Sequence, residues 1–383
     1  MSLQSKLPDV GTTIFTVMSQ LAAELGAINL SQGFPDYPCD PALLDALARA
    51  AHEGHNQYAP MAGLPALRQG IAAKIAASRG VQVDADSEIT VTAGATQAIF
   101  TAIAAVLHAG DEALVLDPSY DSYAPAIRAQ GAVPVHVPLS GPDFAVDWAR
   151  VEAAVTPRTR MILVNNPNNP ATSVFSRDDI EALAALVVRH DLYVMADEVY
   201  EHLVYDGLVH HSALSHPALR ARSFVVYSFG KTYHATGWKI GYCVAPPALT
   251  TEFRKLHQFL VFCVHHPSQR ALAEHLADPT RWQGLPAFFE AKRDLLAQGL
   301  RAAGFELVPS RSTYFQLARY DALRDDLGDQ AFARWLTETA GVACIPVSAF
   351  YADGRDERVV RFCFAKRDDT LRAASDRLAA LRT

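Results

Sequence analysis

Four stretches of this 383-residue chain carry chemically capable side chains where a predicted strand ends. In YSFGKTYHATGWKIGY, Lys231 follows a strand directly and stands beside Gly230, with Ser228 ahead of it and Lys239 after it. A lysine is usually solvated. Phe229, Tyr233, Trp238 and Ile240 around this one predict a partly desolvated amine of lowered pKa, and a neutral amine can attack a carbonyl. In YVMADEVY a buried strand delivers Asp197 to its carboxyl end, followed by Tyr200, and a carboxylate beside a core needs a partner. The turn AGATQ sets Gly94, Ala95 and Thr96 ahead of an apolar helix, leaving backbone amides that can hold a phosphate. Taken alone, it reads equally well as a tight turn capped by Thr96. NNPNNPAT offers Asn166, Asn168 and Asn169 on a segment that two X-Pro steps are expected to keep extended.

Together these parts meet the needs of one cofactor. Pyridoxal 5'-phosphate requires a lysine for its aldehyde, a carboxylate to keep its ring nitrogen protonated, a donor to its phenolate oxygen and donors to its phosphate. Lys231, Asp197, Asn169 with Tyr200, and the Gly94, Ala95, Thr96 turn with Ser228 and Lys239 fill those four needs. Arg361 is a further candidate. Alternation in RVVRFCFA puts it on one strand face with Val359 and Cys363, where a solvated arginine would be odd. A carboxylate partner is expected for it, either a substrate's or an internal Asp or Glu.

The elements that must position these groups read as an α/β chain. Between Ile89 and Ala245, short apolar runs alternate with helical patterns, as in a mostly parallel sheet covered by helices. Six strands are predicted, at Ile89–Thr92, Ala113–Leu116, Val133–Val137, Met161–Val164, Leu192–Ala196 and Phe224–Tyr227, with Tyr242–Ala245 a possible seventh. Ligands of such sheets gather beyond the carboxyl ends of the strands, where the candidate residues lie. A long amphipathic helix over Phe288–Ala303, then short strands such as TYFQL and VVRFCF, predict a smaller α+β domain. The expected division is an arm and the start of the small domain over 1–40, a large domain over 41–284 and a small domain over 285–383.

Composition narrows the function classes. Half the residues are hydrophobic, enough for a large core, and the net charge of −7 offers no basic field for nucleic acid. Neither a secretory leader nor a run of apolar residues long enough for a membrane span is evident. Cys39, Cys243, Cys263, Cys344 and Cys363 are scattered, which predicts a reducing, cytoplasmic setting. No metal site is expected, and His265 and His266 read as structural.

In order along nearly the whole chain, INLSQGFPD, NQYAP, TAGATQ, DPSYDSYAPA, NNPNNP, ADEVYEHL, SFGKTYHATGWKIGYCVAP and VVRFCFAK resemble the fold-type I, class I aminotransferases, most closely their methionine and kynurenine (glutamine-type) branch. The resemblance implies a mostly parallel seven-stranded sheet flanked by helices, plus the smaller α+β domain. It implies pyridoxal 5'-phosphate joined to Lys231 as an imine, Asp197 on the ring nitrogen, Asn169 and Tyr200 on the phenolate oxygen, and Tyr120 stacked on the ring. The phosphate would lie against the Gly94, Ala95, Thr96 turn, Ser228 and Lys239, with Tyr58 arriving from the other subunit of a homodimer. Arg361, the backbone at Gly33 and Asn169 would hold the carboxylate of an amino acid or 2-oxo acid, and Phe15, Phe259 and Phe262 would border its side chain. With no basic residue there, methionine, an aromatic amino acid or kynurenine is expected as amino donor in a ping-pong exchange. Two positions depart from the commoner pattern: Lys239 stands where many class I members have arginine, and NNPAT lacks the glycine of NPTG. A cysteine-conjugate β-lyase is the nearest alternative, since the same carbanion can expel a leaving group. A non-catalytic effector-binding domain is a more distant one, because the stretch before SQGFPD is not expected to hold a helix-turn-helix.

Overall fold

A computed structural model describes residues 3–382. Its strands are β1 (Ile28–Asn29), β2 (Ile89–Thr92), β3 (Glu112–Asp117), β4 (Val133–Pro138), β5 (Thr159–Asn165), β6 (Tyr193–Asp197), β7 (Ser223–Ser228), β8 (Gly241–Val244), β9 (Glu306–Leu307), β10 (Phe315–Arg319), β11 (Val342–Ala343), β12 (Ile345–Pro346) and β13 (Val359–Cys363). Seven of them form one sheet in the order β2-β8-β7-β6-β5-β3-β4, where β8 runs antiparallel to both neighbours and the remaining pairs are parallel. The expected fold is the one observed.

Side-chain alternation explains how this sheet acquires two covered faces. Val115, Leu163, Met195, Phe224 and Val226 point to one side, where they pack with Ile99 and Ile103 of the helix Gly94–Val106. Leu114, Ile162, Val164, Val194 and Val225 point to the other and meet Leu183 and Val187 of the helix Arg177–Arg189. That helix begins at a reciprocal capping box between Ser176 and Asp179, and its buried stripe Ile180, Leu183, Ala184, Val187 follows the helical repeat. Burial on both faces is why these strands are continuous apolar runs. The edge strand β4 is only partly covered and carries Pro134 and Pro138, which a central strand would not tolerate.

A four-stranded antiparallel sheet, β12-β13-β10-β9, follows in the last third of the chain. It packs with the helices Leu285–Ala302, Asp329–Ala340 and Asp368–Ala379. Near the amino terminus, the helix Ile14–Leu25 leads into β1, which pairs in parallel with β11 through Ile28 and Val342. The first turns therefore pack on the carboxyl-terminal third, and the chain between them spans the large sheet. The long helix starts before the predicted Phe288, because Pro286 at its amino end supplies the fixed φ of a first turn. Among the described residues, no helix is long and apolar enough to cross a membrane.

Candidate active site

Parallel register brings the first groups together. Asn165 and Asp197 are direct partners at the carboxyl ends of β5 and β6, and Ser228 ends β7 opposite Gly241. The Asn165 side chain donates to the Asp197 carbonyl at 2.9 Å and accepts from the Asn169 backbone amide at 2.7 Å, tying the asparagine loop to the strand that carries the carboxylate. That loop is a tight turn, not the extended segment expected from its prolines. Asn168 accepts from Ala171 with its side chain and from Thr172 with its carbonyl, which folds the chain back on itself.

Asp197 is buried, and burial raises its pKa from 3.8 to about 6. Opposing that rise, the Tyr123 hydroxyl donates to Oδ2 at 2.7 Å and the Val199 amide to Oδ1 at 3.3 Å. Burial and the neighbouring Asp197 push the Tyr123 phenol well above its ordinary range, so it remains a donor. The carboxylate is thus held in place with too few donors to offset its desolvation, a site that attracts a cation.

Lys231 lies in the short helix Phe229–Thr232 directly after β7. Its flanking residues Phe229, Tyr233 and Ile240 pack into the core. The rings nearest the amine belong instead to Tyr200 and Tyr314, at 5.7 and 5.4 Å from Nζ. Nζ donates to the Tyr314 hydroxyl at 2.7 Å and to the Gly33 carbonyl at 3.4 Å. Burial brings this lysine down from 10.5 to about 8; Cys363 and Asp197 partly offset the fall, and Lys239 adds to it. About a tenth of the amine is therefore neutral at pH 7, and more at higher pH.

One cavity joins Lys231, Asp197, Asn169, Tyr200 and Tyr120 to the Gly94, Ala95, Thr96 turn, Ser228 and Lys239. At its floor the backbone approaches too closely for side chains. A Cβ on Gly241 would sit 2.5 Å from the Tyr227 carbonyl oxygen and 3.0 Å from the Ala95 nitrogen. Gly94 has φ +78°, and a Cβ there would come within 3.3 Å of Lys239 Nζ. The helix Gly94–Val106 starts without a side-chain cap, so its first amides and the Lys239 ammonium face the same small space. Those are the donors an anion requires.

Arg361 sits on β13 opposite Leu317 and is 1% exposed. Its guanidinium lies over the Phe315 ring at 3.8 Å, with Phe350 and Phe15 at 4.9 and 5.4 Å. It donates to Asn169 Oδ1 at 2.5 Å and to the Ser31 carbonyl at 3.4 Å, while Nε is buried without a partner. Burial lowers its pKa to about 10, which still leaves it cationic at neutral pH. Among the described residues no Asp or Glu forms a salt bridge with it.

Three sequence candidates stand elsewhere in the single chain. Tyr58, Phe259 and Phe262 are 79%, 91% and 45% exposed, and Tyr58 meets Phe262 edge to face at 5.0 Å. This surface also holds His265, whose Nδ1 pairs with the Ser268 hydroxyl. Reasoning from the sequence missed Asn165, Tyr123 and Tyr314. Asn165 is the first residue of the NNPNNP run, and Tyr123 follows Tyr120 at helical spacing, so both had a local signal. Tyr314 had none beyond its place at the start of TYFQL. Among the described residues, no group of three His, Cys, Asp or Glu side chains could hold a metal ion.

Comparison with known proteins agrees with this geometry. The family model described as Aminotransferase class I and II matches residues 26–378. The chain is 49% identical over 379 residues to the methionine aminotransferase of Escherichia coli (strain K12), covering 99% of this chain and 98% of that one. To the kynurenine–oxoglutarate transaminase 3 of Rattus norvegicus it is 33% identical over 402 residues, covering 97% and 88%. Its structure is similar to that of the N-succinyldiaminopimelate aminotransferase from Mycobacterium tuberculosis, with a TM-score of 0.95, 40% identity and coverage of 99% and 100%.

Proposed function

The chain belongs to the class I and II aminotransferases, and from that premise we propose that it moves the amino group of methionine, of aromatic amino acids or of kynurenine to a 2-oxo acid, in two half-reactions on one site. It is a pyridoxal 5'-phosphate-dependent transferase whose substrates are amino acids and 2-oxo acids. The observation carrying this reading is one cavity lined by a lysine amine near pKa 8 and a buried carboxylate short of donors, with a buried arginine of unpartnered Nε joined to its lining through Asn169 Oδ1.

The residues present fit the cofactor on their own chemistry. Asp197 lacks a cation, and the amides at Ala95 and Thr96 with Ser228 and Lys239 form an anion cup that a Cβ at Gly94 or Gly241 would obstruct. Between them stand the Tyr120 ring, Asn169 and Tyr200. When bound, the cofactor supplies an aldehyde for an amine and a cationic ring that accepts electrons released at the substrate α carbon. Asp197 keeps the ring nitrogen protonated. Asn169 and Tyr200 donate to the phenolate oxygen, and the turn with Ser228 and Lys239 anchors the phosphate.

Substrate handling follows from the remaining groups. Arg361 and Asn169, with the backbone at Gly33, orient the carboxylate and so fix which substituent of the α carbon faces Lys231. Lys231 Nζ takes the α proton and holds it until it passes to the carbon that carried the cofactor's aldehyde, which its depressed pKa permits near neutral pH. Phe15, beside Arg361 and 5.7 Å from Phe350, borders an apolar space suited to a thioether or aromatic side chain.

Two chains share this chemistry in our reading. The exposed aromatic surface of Tyr58, Phe259 and Phe262 faces a second subunit, Tyr58 completing the partner's phosphate site and the two phenylalanines its side-chain pocket. Residues 41–284 act as the large domain and 285–383 as the small one, joined by the 1–40 segment. Five free thiols suit a reducing cytoplasm. Steady-state kinetics with methionine and a 2-oxo acid, both varied, tests the function: parallel reciprocal lines are expected, and intersecting lines or predominant release of ammonia would refute it.

A further inference from the structure

Lys231 has a neighbour that none of the roles above employs. Tyr314 immediately precedes β10 of the smaller sheet and is 1% exposed, yet its hydroxyl oxygen lies 2.7 Å from Lys231 Nζ. The same hydroxyl lies 2.5 Å from the Gly33 carbonyl oxygen, contributed by the amino-terminal segment. Three distant parts of the chain therefore meet at one amine.

The chemistry of the three groups settles which atom donates in each hydrogen bond. A backbone carbonyl only accepts, so the Tyr314 O–H must point at Gly33. Its lone pairs then face Lys231, which must donate. Burial holds the phenol well above its ordinary ionisation range, so the donor is always present. A neutral amine has two N–H bonds and one lone pair. One N–H goes to Tyr314, and the Gly33 carbonyl, 3.4 Å away and beside that hydroxyl, lies on the same side of the amine. Both oxygens thus anchor one side of the amine and leave its other tetrahedral directions, the lone pair's among them, for the cavity that Lys231 lines.

Resting on the aminotransferase reading above, we propose that Tyr314 is a positioning residue that holds one side of the free Lys231 amine by hydrogen bonding, so that its lone pair stays toward the cavity and the substrate α carbon. A proton then leaves that carbon for the Nζ lone pair and passes on to the carbon that carried the cofactor's aldehyde, while the amine keeps its hold on Tyr314. Both hydrogen bonds to Tyr314 and Gly33 persist whether the nitrogen carries two protons or three. Without the phenol oxygen, the four-carbon lysine stem leaves the amine free to turn, and the aimed fraction falls.

Tyr314→Phe keeps the ring and removes only the hydroxyl. In the cofactor-loaded variant, the rate of the first half-reaction with methionine should fall roughly ten- to a hundred-fold with KM little changed, the share of general acid–base catalysis that depends on aim. The isotope effect with α-deuterated methionine should rise, because proton transfer becomes more limiting. In the cofactor-free variant, the pH midpoint for acylation of Lys231, followed by peptide mass spectrometry, should drop below that of the unaltered protein, since an acceptor that favours the ammonium has gone. Unchanged rate, isotope effect and midpoint overturn the proposal, as does a loss confined to KM with the isotope effect unmoved. Should Tyr314→Phe fail to fold, fluorotyrosines at position 314 weaken the acceptor while keeping the hydroxyl. The rate should then decline in step with phenol acidity, and a flat series overturns the proposal. If the unaltered protein makes no 2-oxo acid product, the assigned function fails instead, and the acylation midpoint still reports on Tyr314.

Discussion

Replacing Arg361 by lysine tests substrate recognition at a point where the structure supplies a magnitude. The guanidinium is fixed on one side by Asn169 Oδ1 at 2.5 Å and below by the Phe315 ring at 3.8 Å, while Nε is buried and unpaired. A substrate carboxylate placed there accepts two parallel N–H bonds from a planar fork; a lysine ammonium presents a point charge and one well-aligned bond. Losing one bond to a charged group costs about 1.5–3 kcal/mol, roughly ten- to a hundred-fold in kcat/KM. Because the carboxylate is gripped before and during the reaction, most of that loss should appear in KM. The assay is steady-state kinetics with methionine and a saturating 2-oxo acid, run beside 3-(methylthio)propylamine, which has the same side chain and no carboxylate. Arg361→Lys should penalise methionine and leave the amine's low rate nearly unchanged. Equal penalties for both, or an unaffected kcat/KM for methionine, would refute the assignment of Arg361 to the carboxylate.

Asp197→Asn should separate stability from activity. Folding raises this carboxyl from 3.8 to about 6, so the native cofactor-free protein binds the proton more tightly than the unfolded chain and loses stability as pH rises from about 4 through 6. The variant lacks that loss, so in the cofactor-free state above pH 6 it should be more stable than the parent by on the order of 3 kcal/mol in denaturant titrations, yet slower by orders of magnitude in turnover. An advantage over the parent no larger above pH 6 than at pH 4 would contradict the burial argument. Beneath Tyr200, the buried Lys74 and Arg79 both pair with Glu201, and Lys74 also donates to the Tyr242 hydroxyl at 3.1 Å. Lys74→Met should cost about 3–5 kcal/mol, read from the urea midpoint, and a change below about 1 kcal/mol would show the network to be dispensable. If Tyr58 serves a partner's site, sedimentation should give a dimer and dilution should abolish activity together with dimerisation, whereas an active monomer would overturn the shared site.

The sequence carried most of this fold because the large sheet is covered on both faces. Each of its inner strands carries an apolar run bounded at one end by Gly, Asn, Asp or Ser, and those ends include Asn165, Asp197 and Ser228. Lys231 and Asp197 were legible for that reason. Two-residue strands such as β1 and β11 were not, since only their mutual pairing defines them. The turn at NNPNNP was misjudged as extended because its folding depends on Asn side chains accepting from the residues that follow. Phe259 and Phe262 were expected at the substrate side chain, but the helix Pro247–Leu260 turns its last residues outward within one chain. Tyr314 was invisible because its meaning lies in contacts with Lys231 and Gly33, separated from it by 83 and 281 residues. No local pattern encodes such a meeting.

The central claim is that the Lys231 amine is the cofactor's covalent anchor and the proton carrier of transamination. Loading the protein with pyridoxal 5'-phosphate, reducing with borohydride and sequencing the peptides by mass spectrometry tests it directly. The account predicts a single phosphopyridoxyl group on Lys231, absent when the loaded protein is first converted by excess methionine to its pyridoxamine form. Modification of another lysine, or none at all, would contradict it.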